Sequence, residues 1–296
     1  MTSGVRRGFT RLADRLATAS AEFGCCDTRF TVEVRGPGAG RAVAHAETTA
    51  RQLESRLDAF DPDSAVARLN ETGRVDDEHV ARVVRRGLAY RDRTGGAFGV
   101  TRGGLEHDLK RYIHEEADDP PDPGQLDATA GAVTVDETTV EAERPVDLNG
   151  LAKGYIVDRA RAAADGFARS AFVSGGGDMT APPGVVAIES PWGGDPLKHL
   201  DTDWAVATSA GYRRERDGLD HVYDPQTGAI GSRHDLVTAL AARDCMEADA
   251  LATALAALPP GDALSLAEGW DGAEALVVHE GVFRRTSGFE NHVAAT

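Results

Sequence analysis

The chain has 296 residues, of which 41% are hydrophobic, enough to bury a core in one large domain or two small ones. Its formal net charge is −16, from 48 acidic and 32 basic residues, and no basic stripe accompanies them. This balance argues against a general nucleic-acid binder, and the lack of any apolar run of about 18 residues predicts that no segment spans a membrane.

The basic residues are almost all arginine. Lysine occurs only at Lys110, Lys153 and Lys198. An acidic chain that is poor in lysine favours a protein that stays soluble at high salt, because salt screens the repulsion between its acidic groups. Acidic drift with GC-rich codon usage is the alternative explanation.

The cysteines are Cys25, Cys26 and Cys245. They form neither a disulfide framework nor a CxxC metal motif, so we expect reduced thiols in a reducing compartment. The twin arginine at residues 6–7 has no apolar core behind it, which makes a poor signal peptide. No apolar stretch precedes Cys25 and Cys26, so a lipid anchor is not inferred, and the expected location is cytoplasmic.

In the first part of the chain, residue spacing predicts helices around one strand. A short amphipathic helix is expected over 8–20 and a half-buried strand over 29–36. Further helices are expected over 40–60, within "DPDSAVARLN" (61–70) and over 78–93, where the glycines of "RTGGAF" end the helix.

Beyond residue 114 the chain alternates short strands and helices. The acidic, proline-bearing segment 115–128 predicts a solvated loop. A hairpin is expected over 132–143. Further strands are expected over 170–178, 184–190, 204–209, 273–280 and 282–289. Helices are expected from the region of residue 147 to about 166, over 244–258 and over 261–268. The pattern predicts one mixed α/β (α+β) unit of about ten strands and six helices, arranged in two sheet-and-helix lobes.

The stretch "DLNGLAKGYIVDRA" (147–160) sets Asp147 before a helix and Lys153 near its start. A helix start offers free N–H groups and a positive dipole end, which suit phosphate oxygens, and a nearby lysine adds charge. The alternative is that Asp147 only caps the helix and Lys153 is solvated. The scarcity of lysine favours a functional role.

Two stretches carry polar residues after apolar strands. The three glycines of "FVSGGGDM" (172–179) allow close backbone approach, or merely form a tight turn, and no GxGxxG spacing follows them. Ser209 ends a strand, and "HVYDPQTG" (221–228) contains His221, Asp224 and Thr227. A neutral histidine accepts a hydroxyl proton near pH 7, but a turn bonded to its own backbone explains these residues as well.

Asp249 and Thr253 lie four residues apart in "MEADALATAL" (246–255), so they share one face of an otherwise apolar helix. A buried carboxylate needs a partner, and a carboxylate with a hydroxyl suits a hard cation such as Mg²⁺. The alternative is that Thr253 bonds a backbone carbonyl and Asp249 caps the helix.

Taken in order, these stretches resemble the ApbE family of FAD:protein FMN transferases. The matching pieces span roughly residues 26–255: "CDTRFTVEV", "FDPDSAVARLN", "TGGAF", "VDLNGLAKGYIVD", "SGGGD", "ATSAGY", "HVYDPQTG" and "EADALATAL". The resemblance implies an N-terminal extension over 1–24 and one ApbE-like flavin transferase domain over 25–296. It also implies transfer of FMN from FAD to a Ser or Thr hydroxyl of a target protein, with release of AMP.

The resemblance also implies roles for individual residues. A divalent metal, Mg²⁺ or Mn²⁺, is expected on the Gly150 carbonyl, Asp249 and Thr253, and His221 is expected to act as the base. The residues expected to contact FAD are Cys26, Phe60, Ala97, Phe98, Gly99, Asp147, Lys153 and Tyr223.

Three positions depart from the family's usual residues. Cys26 stands where Met is usual, Gly99 where Asp is common, and Ala210 in place of a glycine after Ser209. Two other functions stay open beside the transferase: an FAD pyrophosphatase that uses water, and a flavin-binding protein without turnover. The expected partners are FAD and an acceptor protein with a Ser/Thr flavinylation motif, with no nucleic acid.

Overall fold

The structure, a computed structural model, describes residues 17–101, 103–121, 131–210, 215–217, 219–220, 222, 224 and 230–295. Within these residues the helices are α1 (Ala39–Leu57), α2 (Ala65–Thr72), α3 (Glu78–Arg93), α4 (Gly103–Ile113), α5 (Asn149–Asp165), α6 (Cys245–Ala257) and α7 (Pro260–Glu268), with a short 3-10 helix at Phe289–His292. The strands are β1 (Thr18–Cys25), β2 (Thr28–Arg35), β3 (Arg74–Asp76), β4 (Val133–Asp136), β5 (Thr139–Ala142), β6 (Ser170–Gly175), β7 (Asp178–Met179), β8 (Val186–Ile188), β9 (Lys198–Leu200), β10 (Ala205–Ser209), β11 (Glu215–Arg216), β12 (Leu219–Asp220), β13 (Leu236–Ala241), β14 (Ala273–His279) and β15 (Val282–Arg285).

Eight strands form one antiparallel sheet in the order β1-β2-β6-β7-β10-β13-β14-β15. Smaller sheets pair β3-β5-β4, β8-β9 and β11-β12. The predicted mixed α/β unit is confirmed, and one continuous sheet joins the two regions that we expected to be lobes.

The prediction of a helix over 8–20 is wrong for the last residues of that range. Residues 18–20 belong to β1, which pairs with β2 from Thr18 opposite Arg35 to Cys25 opposite Thr28. Alternating exposure along β1 and eight cross-strand pairs outweigh the helical spacing of its small residues. Residues 8–16 of the predicted helix lie outside the described part of the chain.

The central sheet is buried on both faces where β10, β13 and β14 lie side by side. On one face α1, α5 and α6 cover the main core. On the other face a smaller core is formed by Ile188, Leu200, Val206, Leu236, Leu240, Leu276, Val278 and Phe289. All six residues of β13 are therefore buried, and a strand that is apolar on both faces shows no alternation, which explains why this strand was not predicted.

Helix α4 was not predicted either, and it matters for the site. The N–H of Gly103 donates to the carbonyl of Pro145 at 2.9 Å, and a Cβ on Gly103 would lie 2.4 Å from the carbonyl carbon of Val146. The start of α4 therefore packs directly on the segment that leads into α5, which brings the side chains of α4 beside Asp147. Across the described residues, no helix is both long and apolar enough to cross a membrane.

Candidate functional site

The site lies where α5 and α6 cross. A Cβ at Gly154 would lie 2.6 Å from the carbonyl oxygen of Cys245, so only glycine lets the two helix backbones approach this closely. The N–H of Gly154 donates to Oδ2 of Asp249 at 2.9 Å. The close crossing therefore places the buried carboxylate of Asp249 on α6 in hydrogen-bonding contact with the backbone of α5.

The same crossing joins Gly150 to Thr253. The Thr253 hydroxyl donates to the Gly150 carbonyl at 3.4 Å. A Cβ at Gly150 would lie 3.0 Å from Cε2 of Phe98 and 3.1 Å from Cγ2 of Thr253. The structure thus brings Gly150, Phe98, Asp249 and Thr253 together, and their roles in metal and FAD binding stay predictions.

The N-terminus of α6 is tied to α5 by a second carboxylate. Asp158 accepts the N–H groups of Cys245 at 3.0 Å and Met246 at 2.9 Å, while Asp244 caps the helix through the N–H of Glu247 at 2.8 Å. Burial, with a contribution from the Asp244 charge, raises the pKa of Asp158 to about 7, although the two N–H groups oppose the shift. These bonds fix the relative position of the two helices that carry the site.

Lys153 does not lie free in solvent. Its ammonium hydrogen-bonds to Asp178, whose side chain is 1% exposed. Burial lowers the pKa of Lys153, but the charges of Asp178 and then Asp249 outweigh it and hold the pKa above its usual value. The interpretation of Lys153 as a merely solvated surface residue is therefore wrong.

Asp178 has two charged neighbours, Lys153 and Asp249. Burial and then the charge of Asp249 raise the pKa of Asp178 well above its usual value, and Lys153 only partly opposes them. Two buried carboxylates thus share one ammonium. Two carboxyl groups, a carbonyl and a hydroxyl form an oxygen donor set of the kind that Mg²⁺ or Mn²⁺ takes.

The glycine turn of "SGGGD" presents Asp178. Gly176 and Gly177 have φ of 59° and 102°, in the left-handed region that favours glycine, and a Cβ on Gly176 would lie 2.7 Å from Oγ1 of Thr28. Both readings of the motif therefore hold: it is a tight turn, and it allows a close approach, in this case of β2. Asp178 begins β7 immediately after the turn.

Asp147 lies in a second charged cluster at the start of α5. Its side chain is fully buried, with Nζ of Lys110 at 2.6 Å and Nε2 of His107 at 3.3 Å, and it accepts the N–H of Asn149 at 2.7 Å. Burial raises the pKa of Asp147, but Lys110 and His107 outweigh it and hold the pKa well below its usual range. The side chain thus holds the backbone at the start of α5, although the N-cap is Leu148, which makes no side-chain cap bond, so Asp147 is not the predicted cap. Its contact with FAD stays a prediction.

The aromatic and small residues expected to contact FAD lie on either side of this cluster. Phe60 is 45% exposed, and its ring centroid is 5.2 Å from that of His107. Ala97 and Phe98 are buried, and Gly99 is partly exposed.

Other predicted residues lie elsewhere or outside the described chain. Cys26 lies in the β1–β2 turn, where its backbone N–H donates to Glu54. Ser209 ends β10 as predicted, and Asp224 is buried with Nη2 of Arg233 at 3.6 Å. His221, Tyr223 and Thr227 lie outside the described residues.

Sequence reasoning missed Asp178, Lys110 and His107. Asp178 ends a glycine motif that we had considered only for its backbone. The scarcity of lysine was a signal for Lys110 as much as for Lys153. No local signal marked His107, because its role depends on α4 packing beside residue 147.

Comparison with known proteins agrees with this geometry. The profile of the ApbE family matches residues 26–277. The chain is 28% identical over 268 residues to an Escherichia coli protein named FAD:protein FMN transferase, covering 79% of this chain and 76% of that protein. A Vibrio cholerae protein of the same name is 28% identical over 249 residues, covering 73% of each chain.

The fold agrees as well. The crystal structure of the ApbE protein from Thermotoga maritima superimposes with a TM-score of 0.84 at 26% identity, covering 94% of this chain and all of that one. A family profile that spans most of the chain and a fold shared along nearly its whole length lead to one conclusion: this chain belongs to the ApbE family.

Proposed function

We propose that this protein is a flavin transferase that moves FMN from FAD to a Ser or Thr hydroxyl of an acceptor protein and releases AMP. The activity follows the names of the relatives from Escherichia coli and Vibrio cholerae. The observation that carries the proposal is the convergence of Lys153, Asp249, Thr253 and the Gly150 carbonyl at the crossing of α5 and α6.

The donor set of this crossing fits a divalent metal. Gly150 offers a carbonyl oxygen, Thr253 a hydroxyl and Asp249 a carboxylate, and the neighbouring Asp178 adds a second carboxyl group. These three residues would hold Mg²⁺ or Mn²⁺. When bound, the ion supplies positive charge to phosphate oxygens, which stabilises charge that develops at the reacting phosphorus.

The chain's own charges support phosphate binding at the same place. The ammonium of Lys153 is held by Asp178 within reach of Asp249, so its position is fixed before a ligand arrives. The positive end of the α5 dipole adds to it. With a divalent ion bound beside the two carboxyl groups, this arrangement would favour a pyrophosphate at the crossing.

The reaction needs a base as well as positive charge. The acceptor oxygen forms a bond to the FMN phosphorus, the pyrophosphate P–O bond to AMP breaks, and the hydroxyl proton passes to a base. His221 is the candidate for that base. Cys26, Phe60, Ala97, Phe98, Gly99, Asp147 and Tyr223 are the residues proposed to hold FAD in position.

The test is a product balance. Purified protein is incubated with FAD and Mg²⁺, with and without an acceptor peptide that carries a Ser/Thr motif, at low and at molar salt because of the acidic composition. AMP is measured by chromatography and the acceptor by mass spectrometry, with a Thr→Val acceptor as the control.

The proposal predicts equal amounts of AMP and flavin-modified acceptor, both absent with the control peptide. AMP released at the same rate with no acceptor would identify an FAD pyrophosphatase. Bound, intact FAD under every condition would identify a flavin carrier. Either result would overturn the transferase proposal.

A further inference from the structure

The β1–β2 turn has an unusual backbone. Cys25 pairs with Thr28, so Cys26 and Asp27 form a two-residue turn, and their φ values are 54° and 53°. Turns of this kind favour Asn and Gly, and cysteine is strained in the left-handed region. Strain of this kind persists where surrounding contacts impose it, often at functional sites.

The turn places two thiols at the spacing of metal ligands. The Sγ atoms of Cys25 and Cys26 are 3.7 Å apart. Two thiolates on one tetrahedral Zn²⁺, with Zn–S distances of about 2.3 Å, are separated by about 3.8 Å. The spacing therefore matches a shared metal without movement of either side chain.

Glu54 of α1 supplies a third donor. A carboxylate oxygen of Glu54 and the two sulfur atoms all lie within 4.8 Å of one another. The same side chain accepts the backbone N–H of Cys26, which holds the turn against the helix. A residue 28 positions away along the chain thus completes the cluster.

Burial and charge also suit a cation. Cys25 is buried, while Cys26 and Glu54 are partly exposed, so an ion can enter from the turn. Beside the turn, Arg51 donates to the carbonyl of Gly24 at 3.1 Å and pairs with Glu47 at 3.0 Å. Thiols are mostly protonated at neutral pH and bind metals as thiolates, so metal binding must release protons.

We propose that Cys25, Cys26 and Glu54 form a binding site for a borderline-soft divalent cation of the Zn²⁺ type, with the fourth position open to solvent. Thiolates select such ions over Mg²⁺, which prefers oxygen, so this site differs in chemistry from the oxygen donors at the α5–α6 crossing. The ion would fasten the β1–β2 turn to α1.

The test uses the full, reduced chain without FAD, so that its outcome is independent of the proposed transferase activity. Co²⁺ is titrated in while the cobalt–thiolate absorption is recorded, and Zn²⁺ is then added as a competitor. Proton release is measured in weak buffer. The variants are Cys26→Ser and Glu54→Gln, with Cys245→Ala as the matched control, since Cys245 is a buried thiol on α6.

We expect the thiolate absorption to saturate with one Co²⁺ per chain and to be lost when Zn²⁺ displaces it, with about two protons released overall. Cys26→Ser should abolish the absorption, Glu54→Gln should weaken binding at least tenfold, and Cys245→Ala should match the wild type. Denaturation curves check that each variant folds. No cobalt–thiolate absorption in the reduced wild type, or equal absorption in Cys26→Ser, would overturn the proposal, as would loss of the absorption in Cys245→Ala.

Discussion

Lys110→Met tests how far the start of α5 depends on one buried ion pair. Nζ of Lys110 lies 2.6 Å from Oδ2 of Asp147, whose side chain has no solvent exposure, while that of Lys110 is 12% exposed. Substitution by Met keeps much of the length and apolar stem of the lysine and removes only the charge. Asp147 would then be buried beside Glu106, a second carboxylate.

The expected loss follows from the geometry. Two unit charges at this distance attract by about 6 kcal/mol at an effective dielectric constant of 20, and desolvation offsets much of that. Removal of one partner from a buried pair usually costs about 3–5 kcal/mol. His107 remains 3.3 Å from Asp147 as a second partner, so we expect a loss in the free energy of unfolding of about 3 kcal/mol at pH 7, the low end of that range.

The loss should depend on pH. Burial and the charge of Asp147 already raise the pKa of Glu106, and Lys110 opposes them, so the variant should raise it further. A carboxyl whose pKa is raised by folding contributes stability below its unfolded pKa of about 4, and that contribution is lost as pH rises through the folded pKa. The deficit of Lys110→Met should therefore shrink between pH 7 and pH 5.

The assay is urea denaturation at fixed salt, with Lys198→Met as the control. Lys198 pairs with Glu290 at 3.6 Å, and both side chains are about a third or more exposed, so this loss should stay below about 1 kcal/mol. Equal losses in the two variants, or a Lys110→Met deficit that grows as pH falls, would refute the reasoning.

Four further substitutions test the site. Gly150→Ala should lower transferase activity at least tenfold and the free energy of unfolding by about 1–3 kcal/mol, because its Cβ would press on Phe98 at 3.0 Å and Thr253 at 3.1 Å. The control in both the activity and the urea assays is Gly261→Ala, whose Cβ would meet nothing within 4 Å. Asp249→Asn should abolish Mg²⁺-dependent AMP release while circular dichroism stays unchanged, and full activity would remove the metal assignment. His221→Ala should slow transfer more than it weakens FAD binding, which fluorescence titration measures. Equal losses in transfer rate and FAD affinity would indicate that His221 only positions FAD. Asp158→Asn should gain stability relative to the wild type as pH rises from 5 to 8, because the contribution of a carboxyl with a pKa of about 7 is lost over that interval; a constant difference in urea midpoints would contradict this.

The sequence predicted those parts of the fold whose signals are local. Helix α3 begins after the Asp77 cap and ends at Arg93, within the bounds that its spacing indicated. Helix α6 begins after Asp244, and the i, i+4 pairing of its two polar residues placed both on the face toward α5.

Features that depend on distant partners were not predictable in the same way. Strand β13 is buried on both faces and is apolar except for Thr238, so its sequence lacks the alternation that marks a half-buried strand. The partnership of Asp178 with Lys153 joins residues 25 apart, and that of Lys110 with Asp147 residues 37 apart. Such pairings follow from packing, which a single sequence read locally does not reveal.

The cysteines show the same limit. Cys25 and Cys26 match no metal spacing motif, and their third neighbour, Glu54, lies in the last turn of an amphipathic helix. Only the fold of α1 against the hairpin turn brings the three residues together.

The most direct test of the central claim is a crystal of the protein grown with FAD and Mn²⁺, in which the anomalous signal of manganese locates the ion. We predict a single strong peak in coordinating distance of the Gly150 carbonyl, Asp249 and Thr253, with the pyrophosphate of FAD against it and near Lys153. A flavin bound with its phosphates away from the α5–α6 crossing, with no manganese peak between these residues, would contradict the account.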